Sequence, residues 1–114
     1  MFFASGSAKA TFTDLSPLEA SQRLAEFRVV DVREPHECAS ATGIIAGAEN
    51  VPLAGVADAA ATWPTHAPLL LVCRSGARSS RAATALAGLG FDQLFNLAGG
   101  MLAWNERGLP TTHP

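Results

Sequence analysis

The stretch LLLVCRSGARSSRAATALAGLG, residues 69–90, decides how the rest of the chain is read. Four aliphatic residues lead into Cys73, and a loop holding Gly76, Arg74 and Arg78 follows. Over residues 78–88 the positions Ala82, Ala85, Leu86 and Leu89 then recur at helical spacing, with Gly88 or Gly90 available to close the last turn. A wholly apolar run of this length suits a central strand covered on both faces, the habit of parallel sheets with helical crossovers.

Working outward, the same alternation continues. Aliphatic and β-branched runs occur at VVDV (29–32) and LFNL (94–97), with weaker strand candidates at TFT (11–13) and NVPL (50–53). Ser16-Pro17-Leu18-Glu19 has capping-box spacing with proline at the first helical position, and Ala20, Leu24 and Phe27 then share one face. An alanine-rich helix is expected over 53–62, stopping before Pro64. A last short helix is expected over 101–107, opened by Gly99-Gly100 and ended by Gly108 and Pro110. The fold class is therefore α/β, a small parallel sheet of about five strands with helices on both faces. In such sheets the working site lies at the carboxyl ends of the strands. Cys73, Asp31 with Arg33, and Gly99-Gly100 all fall on that edge.

With 114 residues and 48% hydrophobic content the chain supports one core, so residues 11–114 are read as a single domain and residues 1–10 as a flexible tail. A formal charge of −2 supplies no long-range attraction to nucleic acid or an acidic membrane, so any positive potential that matters is local. MFFASGSAKATF lacks the pattern of a secretory leader, and no stretch approaches the roughly 20 apolar residues of a membrane span. The expected location is the cytoplasm, with Cys38 and Cys73 both reduced.

A thiol is a strong nucleophile only as thiolate, which a helix N-terminus and neighbouring arginines favour. Gly76 permits a positive φ, so that successive N–H groups can turn inward as an anion-binding nest. Phosphoryl transfer and sulfur transfer both use such a cradle. The tyrosine-phosphatase type of loop needs five residues between cysteine and arginine. Here four intervene before Arg78, and Val72 stands where those enzymes carry a histidine. The tighter ring suits a single sulfur atom carried on the cysteine.

Four segments in register resemble the rhodanese family of single-domain sulfurtransferases: DVREPHE (31–37), GIIAGAENVPL (43–53), CRSGARS (73–79) and NLAGGMLAWNERGLP (96–110). The resemblance spans Thr11 to Pro110 and implies a rhodanese-like fold. It implies Cys73 as the catalytic residue that becomes a persulfide, with the amides of Arg74, Ser75, Gly76, Ala77 and Arg78 around its outer sulfur. It further implies that Arg74 and Arg78 bind the anionic end of a thiosulfate-like donor, preferred over 3-mercaptopyruvate, and that cyanide or a thiol is the acceptor. No metal or organic cofactor is implied. The sequence departs from the family pattern at Ile44, in place of histidine, at Ala46, in place of proline, at two residues inserted before Gly43, and at Cys38, in place of an aromatic. Two rival readings stand beside this one: a module carrying a persulfide to a partner protein, and a phosphatase or arsenate reductase of related architecture.

Other polar residues are assigned structural roles. Asp31 and Arg33 are read as an ion pair outside the site, and Cys38 as a small hydrophobe. His36, His66 and His113 have no ligand spacing. Met101, Trp63 and Trp104 are packing residues, Ser79 and Ser80 start a helix, and Ser75 is a candidate hydrogen-bond donor into the pocket. Arg81 is solvated or paired.

Overall fold

A computed structural model describes residues 11–114 of the chain; the expected tail, residues 1–10, lies outside the described residues. The elements run β1 (Thr13–Leu15), α1 (Pro17–Gln22), β2 (Arg28–Asp31), α2 (Pro35–Cys38), β3 (Glu49–Asn50), α3 (Val56–Ala59), β4 (Leu69–Val72), α4 (Ala77–Gly88), β5 (Leu94–Leu97) and α5 (Gly100–Glu106). Short 3-10 turns at Leu24–Glu26, Leu53–Gly55 and Ala60–Thr62 extend α1 and flank α3. The first helix begins as its capping box requires: the Glu19 N–H donates to Ser16 Oγ at 3.1 Å, and Pro17 opens the first turn.

All five strands are parallel, in the order β1-β5-β4-β2-β3. Strand β4 is central and buried along its whole length, which is why it could be apolar on both faces. Its side chains alternate between two cores. Leu69, Leu71 and Cys73 face α4 and α3, where they meet Val30, Val32, Ala82, Ala83 and Leu86. Leu70 and Val72 face α1 and α5, with Leu15, Leu97, Met101 and Trp104. The sheet thus carries helices on both faces, and the thiol of Cys73 belongs to the α4 side.

Several local expectations shift. The first strand lies at Thr13–Leu15 rather than 11–13, and the second segment contributes only Glu49–Asn50 to the ladder. Beyond Asn50 the chain stays tied to β2 by single bonds, from the Val51 N–H to the Asp31 carbonyl at 2.9 Å and from the Leu53 N–H to the Val32 carbonyl at 3.0 Å. The helix expected over 53–62 is broken into three short pieces around Gly55. Helix α4 buries Ser79, Ala82, Ala83 and Leu86; Ala85 is exposed, and Leu89, just past the helix end, is 51% exposed. The i, i+3, i+4, i+7 stripe therefore begins three positions, about one turn, earlier than expected, because Ser79 occupies a buried place that its polarity disguised.

Candidate active site

Strand β4 ends at Val72 and delivers Cys73 to the carboxyl edge of the sheet, next to the first turn of α5. The N–H of Met101 donates to the carbonyl of Cys73 at 2.9 Å, and that of Leu102 to the carbonyl of Arg74 at 3.1 Å. Helix α5 therefore satisfies its orphan N–H groups with the loop's carbonyls. The packing is close enough that a Cβ at Gly100, whose φ is +60°, would collide with the Cys73 and Arg74 carbonyls. With those carbonyls turned toward α5, the amides that follow are free to face the sulfur. Gly76, at φ +104°, makes the turn, and its N–H donates to Cys73 Sγ at 3.1 Å.

Helix α4 begins at once and brings Ser79 over the thiol, its Oγ 3.2 Å from Cys73 Sγ. Cys73 is only 1% exposed. Burial by itself pushes the thiol up, but the Ser79 hydroxyl and the amides of Ser79, Gly76 and Ser75 together outweigh it, leaving the thiol below its ordinary value. The sulfur is thus buried at the edge of the apolar core under α4, with hydrogen-bond donors from Gly76 and Ser79 directed at it.

The arginines behave differently from each other. Arg78 grips Glu37 of α2 with both terminal nitrogens, at 2.7 and 2.8 Å. Glu37 also accepts the N–H of Glu34 at 3.0 Å. The hydrogen bond from Arg78 leads the causes that hold the Glu37 carboxyl at about 2. Arg74 is exposed and makes no ion pair among the described residues. A hydroxyl and main-chain amides lead the causes that lower the thiol; the Arg78 charge also couples to that of Cys73, although its guanidinium is engaged with Glu37.

Ser75 contributes its amide; its side chain lines a polar cleft of about 370 Å³ shared with Asp14, Ser80 and Asn96. Ala77 is exposed at the first position of α4. Asp31 and Arg33 form a sealed ion pair, with 2.9 Å from Nε to Oδ1 and 2.8 Å from Nη2 to Oδ2. Arg33 also donates to the carbonyl of Gly43 at 2.7 Å and to Thr42 Oγ1 at 2.9 Å, stapling the loop after α2 to the end of β2. Cys38 is buried and unpaired, its thiol pushed up first by burial. It lines a cavity of about 620 Å³ with Ile44, Ile45 and the chain end. There Ile44 exchanges two main-chain hydrogen bonds of 2.8 Å with Thr112, so the departures at Ile44 and Cys38 build a wall behind α2 and leave the cradle intact.

Sequence reasoning missed Ser79, Asn96, Asp14 and Glu37. The signal for Asn96 was present: a single amide inside the strand run LFNL, now 4% exposed and hydrogen-bonded to Ser79. The signal for Glu37 was absent, since 41 residues separate it from Arg78.

The rhodanese-like domain family model matches residues 16–107. A sulfurtransferase from Allochromatium vinosum is 37% identical over 97 residues, covering 82% of this chain and 89% of its own. A thiosulfate sulfurtransferase GlpE from Pseudomonas entomophila is 38% identical over 96 residues, covering 83% and 86%. Among solved structures, a rhodanese-related protein from Thermoplasma volcanium superposes with a TM-score of 0.78 at 26% identity, covering 87% of this chain and 96% of its own. A polysulfide-sulfur transferase homodimer from Wolinella succinogenes gives 0.76 at 28% identity, covering 96% and 84%.

Proposed function

The chain belongs to the rhodanese-like domain family, and within that family we propose that it is a thiosulfate-type sulfurtransferase working through a persulfide on Cys73. The observation that carries this reading is the convergence of the Gly76 N–H and the Ser79 hydroxyl on Cys73 Sγ, at 3.1 and 3.2 Å. Donors fixed in a buried site stabilise a sulfur anion at no further reorganisation cost. The relatives named sulfurtransferase and thiosulfate sulfurtransferase support the same chemistry.

In the first half-reaction the Cys73 thiolate attacks the outer sulfur of thiosulfate. The donor's S–S bond breaks, sulfite leaves with its electron pair, and the cysteine becomes a persulfide. In the second, cyanide or a thiolate attacks the outer sulfur and Cys73 leaves as thiolate. The amides of Arg74, Ser75, Gly76, Ala77 and Arg78 cradle the transferred sulfur. Exposed Arg74 supplies the first contact for the donor's anionic end, and Arg78 adds its charge when the donor competes with Glu37. The residues of the loop do this work without a cofactor. The cytoplasm, where thiols are kept reduced, suits a chain whose two cysteines are both unpaired.

The test is thiocyanate formation from thiosulfate and cyanide by the wild-type chain and by Cys73→Ser. Turnover that disappears in the variant is the expected result. Sulfur loaded onto Cys73 without turnover points instead to a carrier for a partner protein, and hydrolysis of an aryl phosphate points to a phosphatase.

A further inference from the structure

A chain of side chains runs from the thiol through Ser79 and Asn96 to Asp14 at the protein surface. Ser79 Oγ lies 3.2 Å from Cys73 Sγ, 3.3 Å from the Gly76 carbonyl, and in a short hydrogen bond to Asn96 Oδ1. Asn96 Nδ2 in turn donates to Asp14 Oδ1 at 2.9 Å. The geometry is set by the sheet: Asp14 and Asn96 are register partners on β1 and β5, and Leu71 is the partner of Asn96 on β4. In a parallel pair such partners project to one face of the sheet, here the face that α4 covers with Ser79.

The polarity of this chain is decided at its outer end. An ionised carboxylate only accepts, so Asp14 must face the NH₂ of Asn96, and the Asn96 carbonyl must then face Ser79. A hydroxyl carries one proton. That proton bonds to Asn96 Oδ1, to the more distant Gly76 carbonyl or to the Cys73 sulfur, and a thiolate needs it more than a thiol or a persulfide does. We infer that Asp14 is a positioning residue for Cys73, holding Asn96 in the orientation whose carbonyl competes with the sulfur for the Ser79 proton. Without the Asp14 carboxylate, Asn96 can turn its NH₂ toward Ser79 Oγ, leaving the hydroxyl proton for the thiolate. Asp14 is exposed and opens onto the polar cleft of about 370 Å³, so this restraint is accessible from solvent.

The inference rests on the reading of Cys73 as the working nucleophile. Of the other charges, Arg78 of α4 couples to Cys73 and holds Glu37 of α2, Arg74 is exposed in the loop, and Asp31 of β2 is sealed against Arg33 on the other face of the sheet. None of these is altered by changing Asp14 or Ser79.

The experiment is the pH dependence of iodoacetamide alkylation of Cys73 in the full chain, read on the Cys73 peptide by mass spectrometry so that Cys38 does not contribute. Ser79→Ala raises the midpoint by about one to two pH units, the worth of a hydrogen bond to a charged group. Asp14→Ala lowers it, by up to about one unit, and in the Ser79→Ala background that shift shrinks to the small through-space remainder of an exposed charge. The Asp14→Ala shift also survives about 1 M salt, which would erase an effect carried through solvent. An unchanged or raised midpoint in Asp14→Ala overturns the inference, as does an equal shift with and without Ser79 or its loss in salt. A wild-type midpoint at the ordinary thiol value would instead overturn the reading of Cys73 as an activated nucleophile, because the assay contains no sulfur donor.

Discussion

The N–H of Met101 donates to the carbonyl of Cys73 at 2.9 Å, and with the Leu102 N–H on the Arg74 carbonyl it sets the direction in which the loop after Cys73 faces. A peptide chain bending around a sulfur has carbonyls and amides to dispose of, and the anion is stabilised only if the amides turn inward. Helix α5 takes the carbonyls of Cys73 and Arg74, leaving the next amides for the sulfur. The family-like GG before Met101 is thereby explained by contact: Gly100 lies against those two carbonyls, where a Cβ would not fit.

Gly100→Ala tests that arrangement. The residue combines φ +60° with no room for a methyl group. Backbone strain alone costs about 1–3 kcal/mol, and the collision adds to it or pushes α5 from the loop. Urea unfolding should show the loss, and alkylation of Cys73 at neutral pH should slow. Wild-type stability together with wild-type alkylation would contradict the assignment.

Removing the partner of Arg78 should tighten donor binding. In Glu37→Ala the guanidinium no longer meets the two carboxylate contacts of 2.7 and 2.8 Å, and becomes available to an anion. One recovered hydrogen bond to a charged group, about 1.5 kcal/mol or more, corresponds to a fall in KM for thiosulfate on the order of tenfold. Steady-state kinetics read it directly. An unchanged or raised KM would place Arg78 outside the donor's reach.

The same pair has a defined pH signature. The folded-state pKa of Glu37 is depressed from 4.5 to about 2, so its contribution to stability is fully present above the ordinary carboxylate value and is lost as pH falls toward 2. The difference in urea midpoint between wild type and Glu37→Gln should stay constant from neutral pH to about 5 and then shrink steadily in acid. A difference that grows as pH falls would have the wrong sign.

Arg33 is 1% exposed and Asp31 is fully buried, so Arg33→Met leaves a carboxylate sealed without its counter-charge. Breaking a buried pair from one side costs about 3–5 kcal/mol, whereas replacing both partners with apolar residues is often close to neutral. Arg33→Met should therefore unfold far more easily than wild type, and Arg33→Met with Asp31→Leu should recover part of the loss. Equal stability of the single and double variants would show that the loop staple to Thr42 and Gly43, and not the charge, carries the energy.

What could be read from the residues was whatever a local pattern controls. The apolar run ending at Cys73, the glycine at the turn and the helix that follows lie within one continuous segment, and periodicity alone orders them. Capping at Ser16 is likewise a matter of four residues. The partners were less legible. Ser79 was read as a helix starter because serine at such a position usually is one, and only the placement of β5 beside β4 brings Asn96 under it. Glu37 reaches Arg78 from a helix of four residues that no periodicity announces. Helix α4 showed the same limit, since a polar buried residue hid the true start of the stripe, one turn earlier. Local rules placed Cys73 and its loop, while several of the groups around them arrive from strands and helices distant in sequence.

The most direct measurement is the mass of the Cys73 peptide after the full chain is incubated with thiosulfate, with and without later addition of cyanide. One added sulfur on Cys73, removed by cyanide with thiocyanate released in equal amount, is the predicted result. A Cys73 peptide of unchanged mass after thiosulfate, or added sulfur found on Cys38 instead, would contradict it.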